Sequence, residues 1–277
     1  MQIGVSIDKY KSIEPSVLLG LAKRLGLEHV EITKTVFEEL AQVKKQIDGL
    51  TSGFHLPIIE MDGFDLSCTE HQVNIDETIS KINANWQDLN IGYCVAHPPE
   101  PDAIDSDIKT SEHLLLENLD RLEPPLVLEN VPTWRKQRFD EFCQKAKQAL
   151  GDKLKGLCFD AAHCYLSGED IESRFKELYP QVTCIHLSDC GPTEDLHLPF
   201  DSGGILPISE FLSMLQQMKY QDTITLELKP HSLDDLQQVL KSYLKVLKHL
   251  DKWKYWKTKA RLLFITPRIL VEKHKVA

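Results

Sequence analysis

The feature that most constrains this chain is a regular alternation of two kinds of segment. Short, apolar, β-branched runs occur at 2–7, 28–32, 53–58, 91–97, 125–130, 156–161, 182–188 and 223–229. Between and after them, segments 15–25, 36–49, 74–89, 110–122, 135–149, 169–178, 207–218 and 232–250 place apolar residues three and four apart, the helical period. Strands that follow one another through helical crossovers pair in parallel. A doubly wound open sheet fits the alternation as well. The count of eight units in 277 residues favours one closed (β/α)₈ TIM barrel. No Gly-x-Gly-x-x-Gly follows the first strand, so the dinucleotide-binding version of the open sheet lacks its signal. No linker or change of composition interrupts residues 1–250. The expected organisation is therefore a single α/β barrel over 1–250 with a C-terminal extension at 251–277.

The net charge of −10 is unevenly spread. The extension holds eight Lys/Arg and two acids, so it carries +6 and the remaining 250 residues carry −16. An acidic body disfavours general affinity for nucleic acid. No apolar run is long enough for a membrane span, and the first residues have no basic leader. Seven cysteines without a Cys-x-x-Cys spacing read as reduced, buried thiols, which points to a cytoplasmic setting.

Ionisable residues fall where such a barrel builds active sites, at the C-terminal ends of its strands. Six of the eight strand segments carry one there: His55, His97, Glu129, Asp160, His186 and Glu227. Unpaired charge inside apolar strands is costly, and a shared divalent cation gives the set a common purpose. Three more candidates lie just beyond strands: His163, Asp195 and His197. Imidazoles with carboxylates suit zinc or manganese.

The segments VEIT (30–33), FHLP (54–57), VAHP (95–98), VLENVP (127–132), CFDAAHCYLSGEDI (158–171), IHLSD (185–189), DLHLPFDSGGI (195–205) and LEL (226–228) form an ordered series, one per strand. The series resembles the xylose isomerase-like barrels, the superfamily that contains sugar isomerases and epimerases and the endonuclease IV type of AP endonuclease (family 2). From the isomerase branch the resemblance implies one metal held by Glu129, Asp160, His186 and Glu227. From the nuclease branch it implies three zinc ions. His55, His97 and Glu129 would hold the first, and Glu129 would bridge to a second with Asp160, His186 and Glu227. His163, Asp195 and His197 would hold the third. The nuclease pattern has Arg where this chain has Leu196, and the stretches after His55 and His97 are acidic, so duplex DNA is not the expected substrate.

Two enzymatic readings follow for a small sugar or phosphate-ester substrate. In the preferred one, a zinc-dependent hydrolase splits a phosphoester at a two- or three-metal site. In the other, a sugar isomerase or epimerase uses Glu129 and Glu227 as catalytic proton carriers around one metal. A non-catalytic binding barrel is a third. Lys34 and Trp134 could line the mouth or serve the surface and core, Asp189 could orient a ligand histidine or cap a loop, and Gly203-Gly204 should supply turn geometry. In the extension, Trp253, Trp256, Ala260 and Leu263 or Phe264 predict a helix over Lys252–Phe264 with an aromatic stripe. Pro267 is expected to stop it and Arg268–Val271 to run extended. The helix could pack on its own barrel, join two chains as a homodimer, or lie on an anionic membrane surface.

Overall fold

The computed structural model describes residues 1–10, 13–99, 108–229 and 235–273, with backbone alone from 264 onward. Eight parallel strands close into a barrel in chain order: β1 (Gln2–Ile7), β2 (His29–Ile32), β3 (Thr51–His55), β4 (Ile91–Ala96), β5 (Leu126–Glu129), β6 (Leu154–Asp160), β7 (Val182–Leu187) and β8 (Thr223–Leu226). The ring closes where Gln2 pairs with Thr223 and Val5 with Leu226. The outer helices are α1 (Pro15–Leu25), α2 (Leu40–Ile47), α3 (Ile59–Asp62), α4 (Gln72–Asn85), α5 (Ile108–Asp120), α6 (Lys136–Leu150), α7 (Ala161–Leu166), α8 (Ile171–Leu178), α9 (Ile208–Met218) and α10 (Asp235–Leu250).

The expected α/β alternation holds throughout, with local shifts. The third strand starts at Thr51 and stops at His55, where Leu56 turns away with its amide on the Val95 carbonyl. The segment expected as one helix over 36–49 is split. Thr33 accepts a hydrogen bond from the Thr35 amide and starts a tight 3₁₀ turn over Lys34–Glu39, after which α2 begins. The single-turn helix α3 and the short α7 follow two strands directly, and both are too brief for a periodicity to reveal. The start of the last expected barrel helix, 232–234, lies outside the described residues.

Most of the apolar core lies between strands and helices. A second, separate cluster fills the barrel interior: Val95, Val127, Cys158 and Cys184, with Tyr93 against them. Side chains alternate along a strand, so the residue two further on points into the same interior, one layer nearer the mouth. Those residues are His97, Glu129, Asp160 and His186. The apolar layer thus floors the site. All seven cysteines are free thiols, and Cys143 is the one that is only partly buried.

The extension forms one helix, α11 (Lys252–Lys273), which continues through Pro267 instead of stopping there. Proline removes one helical hydrogen bond, to the carbonyl of Leu263, and crowds the preceding turn. Leu263 is exposed, so water can serve that carbonyl. The helix lies on its own barrel. Thr258 is buried, Lys254 Nζ sits 2.7 Å from Glu28 Oε2, and Arg261 Nη1 donates to the Leu25 carbonyl at 3.3 Å. Trp253, Trp256 and Leu263 face outward. Among the described residues no helix is long and apolar enough to cross a membrane.

Gly53 shows how tightly the interior is filled. A Cβ there would lie 2.6 Å from the Tyr93 ring. That ring is pinned by His29, which stacks on it at 5.8 Å and bonds its hydroxyl at 3.0 Å. Gly53→Ala should therefore destabilise the barrel by about 1–3 kcal/mol, as overpacking does. Urea unfolding followed by circular dichroism measures it, and an unchanged midpoint would mean that Tyr93 moves aside freely.

Candidate metal centre

All nine residues expected from the sequence converge on the barrel mouth, and Glu129 lies at their centre. Its carboxylate is completely buried. Oε2 faces His97 Nε2 at 3.2 Å and His55 Nε2 at 3.5 Å. Oε1 faces His186 Nδ1 at 3.1 Å and His163 Nδ1 at 3.3 Å. Glu227 Oε2 also lies 3.1 Å from His186 Nδ1. Asp195 Oδ2 stands apart and joins His163 Nε2 at 2.8 Å to His197 Nε2 at 3.2 Å. Among the described residues four groups offer donor atoms close enough together to surround one cation: two share Glu129 (His55, His97, Glu129 and Glu129, Asp160, His186, Glu227), and two others are Glu31, His55, His186 and Cys158, Cys184, His186.

The backbone at the strand ends sets these orientations. Asp160 caps α7 by accepting from the His163 amide at 2.6 Å, which swings His163 back over the site. Asn130 clamps the neighbouring strand end: its side chain bonds both the amide and the carbonyl of Asp160. Three histidines donate their Nδ1–H to main-chain carbonyls: His55 to Leu56 at 2.9 Å, His163 to Asn130 at 2.8 Å and His197 to Glu227 at 3.2 Å. Each turns Nε2 inward, toward Glu129 from His55 and toward Asp195 from His163 and His197. His197 adopts φ 46°, a left-handed conformation costly for a non-glycine residue and held by that bond.

Glu31, on β2, is absent from the sequence-derived set. Its carboxylate is buried and straddles His186 Nε2, with its oxygens 3.0 and 3.1 Å away. An acidic residue inside the apolar run HVEI carries the same signal as the six chosen strand residues. It sits before the strand's last residue, not at the strand end where barrels of this kind place their active-site groups. Asn130 was missed for another reason: nothing in its type sets it apart from a turn residue.

Other sequence candidates fall elsewhere. Asp189 does not orient a histidine; it accepts from the amides of Cys190 and Leu206 and so ties the loop after β7. Gly204 lets that carboxylate approach, since a Cβ would collide with it, and Gly203 takes the positive-φ turn at 97°. Lys34 pairs with Asp62 at 3.3 Å over the Phe64 ring. Trp134 is buried, donates to the Pro99 carbonyl and packs on Phe142. Most of the acidic stretch after His97, residues 100–107, lies outside the described residues.

The donor set fits cations. Asp160 Oδ2 and Asp195 Oδ1 are buried without a hydrogen-bond partner among the described residues, a costly state for a carboxylate oxygen that a cation would relieve. Five carboxylates (Glu31, Glu129, Asp160, Asp195, Glu227) crowd the mouth. Burial pushes Asp160 up to about 7; His163 opposes that shift, while the charges of Glu129, Asp195 and Glu227 reinforce it. His55 rises to about 9: burial would lower it, but the hydrogen bond to Glu129 and the charges of Glu227, Glu129 and Glu31 prevail. In the protein alone, protons supply part of the compensation.

Both groups have folded-state values above their ordinary ones of 3.8 and 6.5. Stability from such a raised group is complete below the ordinary value and lost as pH rises through the folded one. Chelator-treated protein should therefore lose stability as pH climbs through about 7 and on through about 9. Saturating zinc should restore it most at the alkaline end, because protons no longer compete. Melting temperatures across pH with and without zinc test this, and a metal-free profile flat from pH 6 to 9.5 would contradict it.

Comparison with known proteins agrees with this fold. The family model for the xylose isomerase-like TIM barrel, AP endonuclease family 2, matches residues 19–252. Among solved structures, the apo form of 3-keto-D-glucoside 4-epimerase from E. coli superposes with a TM-score of 0.66 at 14% identity, covering 90% of this chain and 99% of that one. An AP endonuclease of family 2 from Brucella melitensis gives 0.63 at 12%, covering 83% and 94%. D-psicose 3-epimerase from Clostridium cellulolyticum H10 gives 0.61 at 14%, covering 95% and 98%. At such identities the likeness is one of fold. No curated protein sequence matches the chain. The matched model leaves out β1, the start of α1 and all of the extension beyond residue 252, and it covers the rest of the barrel: the chain belongs to the xylose isomerase-like TIM barrel family.

Proposed function

We propose that this chain is a phosphoester hydrolase whose barrel mouth holds two or three divalent cations, zinc by the chemistry of its donors. The observation that carries the reading is the division of Glu129: one oxygen faces His55 and His97, the other His186 and His163. A carboxylate shared between two donor groups suits neighbouring cations. Charge supports it. One divalent cation would leave three of the five carboxylate charges at the mouth uncompensated, while two or three bring the mouth near neutrality. The residues would divide as His55, His97 and Glu129; Glu129, Asp160, His186 and Glu227; and His163, Asp195 and His197.

Cations so held would supply Lewis-acid stabilisation of the charge that develops on the phosphoryl and leaving oxygens. The protein's own part is positioning. Carbonyl-anchored imidazoles keep their Nε2 atoms inward, the Asn130 clamp fixes Asp160, and the apolar floor keeps water from entering below. A narrow cleft of about 30 Å³ opens beside the cluster between β1, β2, β3 and β8, reaching Glu31, His55 and Glu227. Asp8 lines it, its Oδ1 held by the hydroxyls of Thr33 and Thr35.

The second reading is epimerisation or isomerisation of a sugar around one metal, with Glu129 and Glu227 carrying protons. It is favoured by the tight group of Glu129, Asp160, His186 and Glu227 and by the epimerases among the fold's neighbours. Metal counting separates the two. Protein saturated with zinc should hold at least two ions per chain, and His163→Ala should lose one. Hydrolysis of bis(p-nitrophenyl) phosphate should fall at least 10³-fold in Glu129→Ala. One ion per chain, unchanged in His163→Ala, together with exchange of a ketose proton into solvent, would favour the epimerase.

Duplex DNA with an abasic site should be a poor substrate. Leu196, between Asp195 and His197, is exposed at the mouth where a cation could have gripped a flanking phosphate. Efficient nicking of such a duplex at physiological salt would restore a repair role.

A further inference from the structure

We propose that Glu31 is the positioning residue that fixes the ring of His186, so that Nδ1 is its metal-facing atom; the inference rests on the reading of the mouth as a metal centre. His186 differs from its neighbours. His55, His163 and His197 are anchored at Nδ1 by main-chain carbonyls and present Nε2. His186 is turned the other way, with Nδ1 3.1 Å from both Glu129 and Glu227 and Nε2 facing Glu31. Its outer partner is thus a carboxylate, which takes the Nε2 proton and leaves the Nδ1 lone pair for a cation. A carboxylate behind an imidazole fixes the ring tautomer and raises its basicity as a ligand.

The setting of Glu31 matches this role. The carboxylate is 1% exposed and enclosed within the barrel. Tyr93 donates to its Oε2 at 3.3 Å, and His29 bonds the Tyr93 hydroxyl at 3.0 Å. Burial lowers His29 to about 4, so it is a neutral prop. Gly53 leaves the space in which the Tyr93 ring stands. The floor of the barrel is therefore shaped to hold one carboxylate under one histidine. Asp189, the sequence candidate for that work, ties a loop instead.

Glu31→Gln removes the charge and little volume. Its amide can donate to Nε2, which would favour a proton on Nδ1, the wrong atom for ligation. Zinc affinity, measured by chelator competition on folded protein, should fall 10–100-fold with the saturating stoichiometry unchanged. Tyr93→Phe, which keeps the carboxylate, should change it less than about threefold. Long-range ¹H–¹⁵N spectra of the zinc-loaded wild type should show His186 metal-bound through Nδ1 with a proton on Nε2. This arm stands even if the variants fail to fold.

Equal affinity in Glu31→Gln, metal on Nε2 of His186, or loss of a whole zinc equivalent in that variant would each overturn the proposal, the last by making Glu31 itself a ligand. Failure of the wild type to take up zinc would instead defeat the metal-centre reading beneath it.

Discussion

A carboxylate surrounded by imidazoles and removed from water has to share its charge, and the upper half of this barrel is organised around that demand at Glu129. Four histidines from four different segments reach its two oxygens. The arrangement holds Glu129 and Glu227 well below the usual carboxylate range despite burial, chiefly through His186 and His97 for the first and His197 and His186 for the second. Asp160 has weaker compensation and moves the other way. A crowded mouth thus separates its acids by neighbourhood rather than by type.

The fold supports this polar crowd with a dry floor. Val95, Val127, Cys158 and Cys184 lie one alternation below the polar layer, on the same four strands that carry His97, Glu129, Asp160 and His186. Strand register decides both layers together: a one-residue slip of β5 would bring Leu128 into the interior and put Glu129 against the helices. Asp160 pairs with His186 and stands level with it, whereas Glu129 pairs with Cys158, so the register of β5 against β6 sets Asp160 two residues further along than Glu129.

Much of this was legible in the sequence, for identifiable reasons. The eightfold alternation repeats a signal often enough to survive local errors, and a His or acid at the end of an apolar strand stands out. The nine-residue constellation came from that contrast together with the family series. What could not be read was relational. Which ring nitrogen of each histidine faces inward depends on carbonyls brought close by the fold, and Leu56, Asn130 and Glu227 supply them as backbone. Asp189 takes the loop-capping one of its two expected roles, and Glu31, for which the sequence suggested no role, faces the imidazole; only three-dimensional packing tells loop amides from an imidazole. The run through Pro267 shows propensity overruled where an exposed turn can lose one hydrogen bond to water.

Closure of the ring between β1 and β8 bears on how the chain reaches this state. The residues gathered around Glu129 come from β3 through β8 and the turns that follow them, and the sheet has no free edge only once the first and last strands have met. A partly folded chain with seven strands in place would already hold most of the buried acids, without the wall that dries them. Long-range parallel pairing of this kind is slow to form. The dry, edge-free interior around Glu129 is therefore complete only when the first and last strands have paired.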